Sequence, residues 1–208
     1  MKRDNEKNRS RALRLVEEEV TNLKKSVLYL ERIKNGVLPV IGEGSIFADI
    51  MFIGEAPGRK EAETGKPFCG SSGKILDSLL ESIEVDRQHV YVTSIVKDRP
   101  PKNRDPFPAE IDIYAPFLDR QIEIIQPKVI ATLGRFSMIY IMQKFGLSGD
   151  LKTISLTHGK WFEARTGYGK VTIIPLYHPA AAIYNQKLKD TLKKDFQIIK
   201  KYAKKKPK

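Results

Sequence analysis

The sequence predicts a three-layer α/β/α domain built around a central, mostly parallel four-stranded sheet. Apolar runs of strand length occur four times, each leads into a segment with helical spacing, and loops containing Gly or Pro separate them. Such alternation requires right-handed crossovers, which place helices on both faces of a parallel sheet. With 208 residues, 41% of them hydrophobic, one core is expected: a single domain over 1–208, with an N-terminal helical extension at about 7–34 and a Lys-rich tail at about 203–208.

Each element has its own signal. Between Lys7 and Lys34 there is no Pro or Gly, and Leu13, Val16, Val20, Leu23, Val27 and Leu30 recur at three- and four-residue spacing, which predicts one amphipathic helix. Ala48 to Ile53 is a short strand that ends at the Gly/Pro-containing loop Gly54 to Gly73. Ser71 or Ser72 is the candidate cap of a helix from Lys74 to Ile83. A second strand, Val90 to Val96, runs into the polar stretch Lys97 to Pro108, followed by a helix from Ala109 to Ile125. Val129 to Leu133 is the third strand and Phe136 to Phe145 the next helix. A less regular segment around Trp161 precedes the fourth strand, Val171 to Leu176, which leads to His178 and Pro179. A basic helix from about Leu188 to Tyr202 follows.

Charge narrows the class of partner. Lys and Arg number 37 against 25 acidic residues, a net charge of +12, which favours a polyanion and nucleic acid ahead of a membrane surface. Lys193 to Lys208 is expected to add sequence-independent, salt-dependent DNA affinity. No apolar run approaches the roughly 18–20 residues that span a bilayer, and Met1 to Arg14 has no apolar signal-peptide core. A cytoplasmic monomer without membrane contact is expected. The single cysteine, Cys69, excludes an intramolecular disulfide and a thiolate cluster within one chain.

Sites in parallel α/β sheets gather at the carboxyl ends of strands. That rule brings Gly54 to Gly58, Ser94 to Arg104, Gly134 to Arg135 and Tyr177 to Ala182 to one edge. The first loop alone carries two carboxylates, Glu55 and Glu61, one aromatic, Phe68, and several glycines. By itself it reads equally as a surface loop or a phosphate-binding turn. His89 and His158 lack comparable surroundings and are assigned to structure or solvent.

The ordered segments GEAPGRKE, GKPFCGSSGKILD, VKDRPPKNRDP, IQPKVIATLGRF and YHPAAAI resemble family 4 uracil-DNA glycosylases, over roughly Gly42 to Tyr202. The resemblance implies a monofunctional enzyme that flips uracil, or a related deaminated base, out of DNA and hydrolyses its glycosidic bond. Glu55 then stabilises the cationic sugar and orients a water, and His178 donates to the base carbonyl. Gly54, Ala56, Glu61, Phe68 and Ser94 form the base pocket, with Phe68 stacking on the base; for Glu61 a solvated loop charge is the alternative. Gly58, Ser71, Ser72, Lys97, Arg99, Lys102 and Arg104 grip the DNA backbone. Ala182, Ile183 and Tyr184 are the candidate wedge.

Two positions depart from that pattern. Typical members hold a four-iron, four-sulfur cluster on four cysteines, and the matching positions here are Ser26, Tyr29, Asp98 and Tyr114. None supplies a thiolate, so neither an iron-sulfur cluster nor another metal is expected. Ser94 stands where the family places an asparagine, and one hydroxyl cannot reproduce the amide's spaced donor and acceptor. Altered base specificity, or a DNA-binding scaffold without turnover, are the competing readings. A small-nucleotide hydrolase is a further one, opposed by the absence of a Walker-type run.

Overall fold

The computed structural model describes residues 2–202; the tail expected at about 203–208 lies outside the described residues. Two helices, α1 (Lys2–Thr21) and α2 (Val27–Asn35), come first. The single helix expected over Lys7 to Lys34 is therefore two. Ser26 has extended backbone, and its hydroxyl accepts a hydrogen bond from the Leu28 N–H at 3.2 Å. This N-cap restarts the helix in a new direction, a local competition that apolar spacing does not record.

The sheet has six strands, not four: β1 (Glu43–Gly44), β2 (Ile50–Gly54), β3 (Tyr91–Ser94), β4 (Val129–Leu133), β5 (Phe162–Thr166) and β6 (Gly169–Leu176), in the order β1-β3-β2-β4-β6-β5. The inner four are parallel and correspond to the four expected strands. β1 and β5 add antiparallel edges. β5 lies in the segment read as irregular around Trp161. Only Ala164 of this strand is buried, so the period-two signal is too weak to separate it from a loop.

Helices α3 (Arg59–Thr64), α4 (Ser71–Ser82), α5 (Pro108–Ile125), α6 (Arg135–Lys144), α7 (Ile154–Thr157) and α8 (Gln186–Lys200) complete the order. The pleat sorts the strand side chains between two cores. Ile50, Phe52, Ala131, Leu133, Ile174 and Leu176 face α4 and α8, where the rings of Phe52 and Phe196 stack at 5.7 Å. Met51, Ile53, Ile130 and Ile173 face α5 and α6. Burial on both faces explains the mainly apolar inner strands. A third cluster, including Val16, Val20, Leu28, Tyr114 and Phe117, joins α1 and α2 to α5.

Candidate active site

Backbone pairing beyond the strand ends fixes the site. The N–H groups of Ile95 and Val96 donate to the carbonyls of Gly54 and Glu55 at 3.1 and 3.0 Å, so the segments after β2 and β3 stay side by side. The Gly134 N–H donates to the Leu176 carbonyl at 2.9 Å, securing the chain just before His178. Glu55, Ala56, Gly58, Glu61, Phe68, Ser72, Ser94, Arg104 and His178 line one cavity of about 320 Å³. The strand-end rule thus unites residues separated by more than a hundred positions.

Phe68 is held where it is by close backbone approaches. Its φ of 49° is unusual for a bulky residue. A Cβ on Gly73, in the first turn of α4, would lie 1.7 Å from the Phe68 carbonyl oxygen. A Cβ on Gly54 would lie 2.9 Å from the Phe68 ring and 3.1 Å from the Ser94 hydroxyl oxygen. These two glycines let the ring sit directly over the strand end, with its centroid 5.7 Å from that of His178.

The two titratable groups are tuned in opposite senses. Burial pushes the Glu55 carboxyl up to about 7; the negative charge of Asp105 adds to the rise, and Arg135 opposes it. Asp105 and Arg135 form an ion pair of 2.5 Å. Burial pulls the His178 imidazolium down to about 4, so the ring is neutral at pH 7. Its Nδ1 accepts from the Ala180 N–H at 3.1 Å, which leaves the proton on Nε2. A neutral N–H donor results.

Glu61 is not a solvated loop charge: it is 8% exposed, with its carboxylate between the turns at Gly58 and Gly70. Gly70, with extended backbone, rather than Ser71 or Ser72, is the N-cap of α4, and Ser71 and Ser72 lie in its first turn. Lys97 is a correction. It is completely buried, bonded to Thr93, Ser94 and Gln121, and cannot touch a DNA backbone. Arg104 is held by both carboxylate oxygens of Glu110, at 2.8 and 2.6 Å. Arg99 donates to Asn103 at 2.7 Å, and Lys102 is exposed. Among the wedge candidates Ala182 is buried in the core, Ile183 is half-buried and Tyr184 is 98% exposed. Ala182 is thereby removed as a wedge.

His158 pairs with Asp195 at 2.8 Å and stacks against Tyr177 at 4.5 Å, a structural role as expected. Asp105 and Asn103 were missed by the sequence reading. Both sit in the recognised segment VKDRPPKNRDP, where charge density hid that Asn103 lines the cavity and that the charge of Asp105 acts on Glu55.

The four positions matched to cluster cysteines converge away from the cavity, in the layer formed by α1, α2 and α5. The Tyr114 hydroxyl lies 2.9 Å from Ser26 Oγ and donates to Asp98 Oδ2 at 2.5 Å. Arg32 donates to Asp98 at 3.0 Å, and its guanidinium lies 4.9 Å from the Tyr29 ring centroid. Burial pushes the Asp98 carboxyl up, while the Tyr114 hydroxyl and Arg32 hold it down. This packed network of oxygens and a guanidinium does not fit an iron-sulfur cluster, which needs thiolates and space. Asp98→Ala is expected to destabilise the fold by about 3–5 kcal/mol, because it strands Arg32 in the interior. Denaturant unfolding of the variant measures this.

A carboxylate, an aromatic ring and a neutral imidazole donor around one cavity can receive a flat heteroaromatic group. The chain belongs to the Uracil DNA glycosylase superfamily, whose family model matches residues 41–202. It is 42% identical over 193 residues to the type-4 uracil-DNA glycosylase of Sulfurisphaera tokodaii, covering 92% of this chain and 85% of the relative. It is 43% identical over 170 residues to that of Archaeoglobus fulgidus, covering 82% and 83% respectively. The Thermotoga maritima protein of the same name is 34% identical over 199 residues, covering 95% and 97%.

Proposed function

We propose that this enzyme excises uracil from DNA by hydrolysis of the bond between deoxyribose C1′ and uracil N1, with Glu55 and His178 as its catalytic residues. The observation that carries the reading is that Glu55, Phe68, Ser94 and His178 line the same cavity. As the C1′–N1 bond breaks, its electron pair leaves with the base and the sugar becomes oxocarbenium-like. The Glu55 carboxylate faces that cation and accepts a proton from the water that bonds to C1′. His178 Nε2–H donates to the base carbonyl where negative charge collects. The base then takes up a proton and departs, leaving an abasic sugar.

Phe68 stacks on the flipped base, a contact worth about 1–3 kcal/mol. The first-turn N–H groups of α4, beside Ser71 and Ser72, together with Lys102 and Arg99, meet the backbone phosphates. Tyr184 is the wedge. No lysine lines the cavity among the described residues, which supports a water nucleophile over a covalent amine intermediate. The reading further holds that the enzyme acts as a cytoplasmic monomer without an iron-sulfur cluster. Purified protein is then expected to carry iron far below one equivalent by elemental analysis, and stoichiometric iron would contradict the assignment of Ser26, Tyr29, Asp98 and Tyr114.

The base range turns on Ser94, which offers one hydroxyl where two spaced groups would separate uracil from cytosine. The test is a panel of oligonucleotides carrying uracil, hypoxanthine and undamaged bases. Wild type is expected to release uracil and to accept a wider lesion range than Ser94→Asn. Release of no base at all would defeat the enzyme reading.

A further inference from the structure

Lys97 is fully buried, and no carboxylate of the described residues pairs with it. Its Nζ lies 2.7 Å from Thr93 Oγ1, 2.6 Å from the Ser94 carbonyl oxygen and 2.6 Å from Gln121 Oε1. All three accept from it. A carbonyl has no proton to give. The Thr93 hydroxyl directs its own to the Ile41 carbonyl at 2.7 Å, with Gln121 Oε1 as a second acceptor at 3.3 Å. The Gln121 amide N–H groups point to the Ile41 carbonyl and the Tyr91 hydroxyl, at 2.9 and 3.2 Å, which fixes Oε1 toward Lys97.

Three acceptors need three N–H donors, and only an ammonium has them. A neutral amine would set its lone pair against an oxygen at under 3 Å. Burial by itself pulls the pKa of Lys97 well down; the three hydrogen bonds to the charged form act in the opposite direction.

We propose that Lys97 is a buried ammonium behind the base pocket, whose positive charge stabilises the negative charge that collects on the departing base. The proposal rests on the uracil-excision reading above. Ser94, whose carbonyl receives the Lys97 proton, lines the cavity. Arg104, which lines the cavity, is paired with Glu110, and His178 is neutral. A full charge in a water-poor interior acts strongly over a short range and is already oriented before the reaction. Lys97 touches neither base nor water and is a positioning residue that works through the field at the pocket wall.

The experiment compares wild type with Lys97→Met, which keeps the length of the stem and removes the charge. Single-turnover release is measured from duplexes holding one deoxyuridine or one 5-fluorodeoxyuridine. Fluorine stabilises the N1 anion, so 5-fluorouracil leaves with less help from the protein. The uracil rate is expected to fall on the order of tenfold or more, and the 5-fluorouracil rate by a clearly smaller factor. Equal losses on the two bases, the mark of a displaced Ser94, would overturn the proposal, as would no loss at all. If wild type releases neither base, the excision reading itself fails and takes the proposal with it. A direct measurement on the wild-type protein is independent of how the variant folds: nitrogen-15 NMR at pH 7 should show a Lys97 Nζ carrying three protons. A neutral amine there would refute it.

Discussion

Glu55→Gln is expected to lower the rate of uracil release by about 10²–10⁴ while leaving DNA binding in place. The substitution keeps the size and shape of the side chain but removes the charge that opposes the cationic sugar and accepts the proton of the attacking water. The pH profile separates this role from a merely structural one. The folded-state pKa of Glu55 lies near 7, above the ordinary carboxylate range. The working form is the carboxylate, so kcat/KM falls as pH drops through about 7 and is fully present above it. Glu55→Gln removes that acid limb, because no proton remains to be taken up. The amide does not titrate, so residual activity is flat over the same window. A limb that survives in the variant would assign the titration to another group.

Asp105 and Arg135 adjust the position of that limb. Burial is the main cause of the rise, Asp105 strengthens it, and the 2.5 Å partner Arg135 moderates it. The pair stands at the rim and is well exposed, so salt screens its contribution more than that of burial. The limb therefore moves only modestly with ionic strength.

The parallel centre of the fold was legible because four strands buried on both faces are mainly apolar, and loops with Gly or Pro bound them. The edge strands were not. β1 has two residues and β5 buries one side chain, too little for a period to register. The break at Ser26 escaped for a related reason. Apolar spacing runs through residues 22–26 without interruption, and only the capping hydroxyl turns the chain.

In the site, the strand-end rule located Glu55, Ser94 and His178, since a parallel sheet must deliver them to one edge. Charge type alone misplaced Lys97. A lysine beside Arg99, Lys102 and Arg104 reads as part of a basic surface, yet Lys97 directly follows the buried pair Ile95 and Val96. Its acceptors come from β3 and from Gln121 on α5, 24 positions away. No local pattern announces a partner at that distance. The same holds for Asp98 and Arg32, separated by 66 positions and joined only once α2 packs against the segment that follows β3.

His178→Leu is expected to lower kcat by about 10²–10³, with a much smaller effect on KM. The Nε2–H contributes most when negative charge has developed on the base carbonyl, so its loss falls on the transition state rather than on binding. The acid limb near pH 7 should remain, since it belongs to Glu55, and this distinguishes the two catalytic residues. His178 itself titrates at about 4, below the range in which the Glu55 carboxylate is available, so its protonation leaves no separate limb. His178→Asn, which returns an N–H donor on a shorter stem, should recover part of the loss. The recovery is incomplete because the Ala180 N–H, which fixes the imidazole tautomer through Nδ1 at 3.1 Å, meets a different acceptor geometry in the amide. Equal rates for wild type and His178→Leu would move base stabilisation to other groups at the pocket wall, and the field of Lys97 would then carry it without a direct donor.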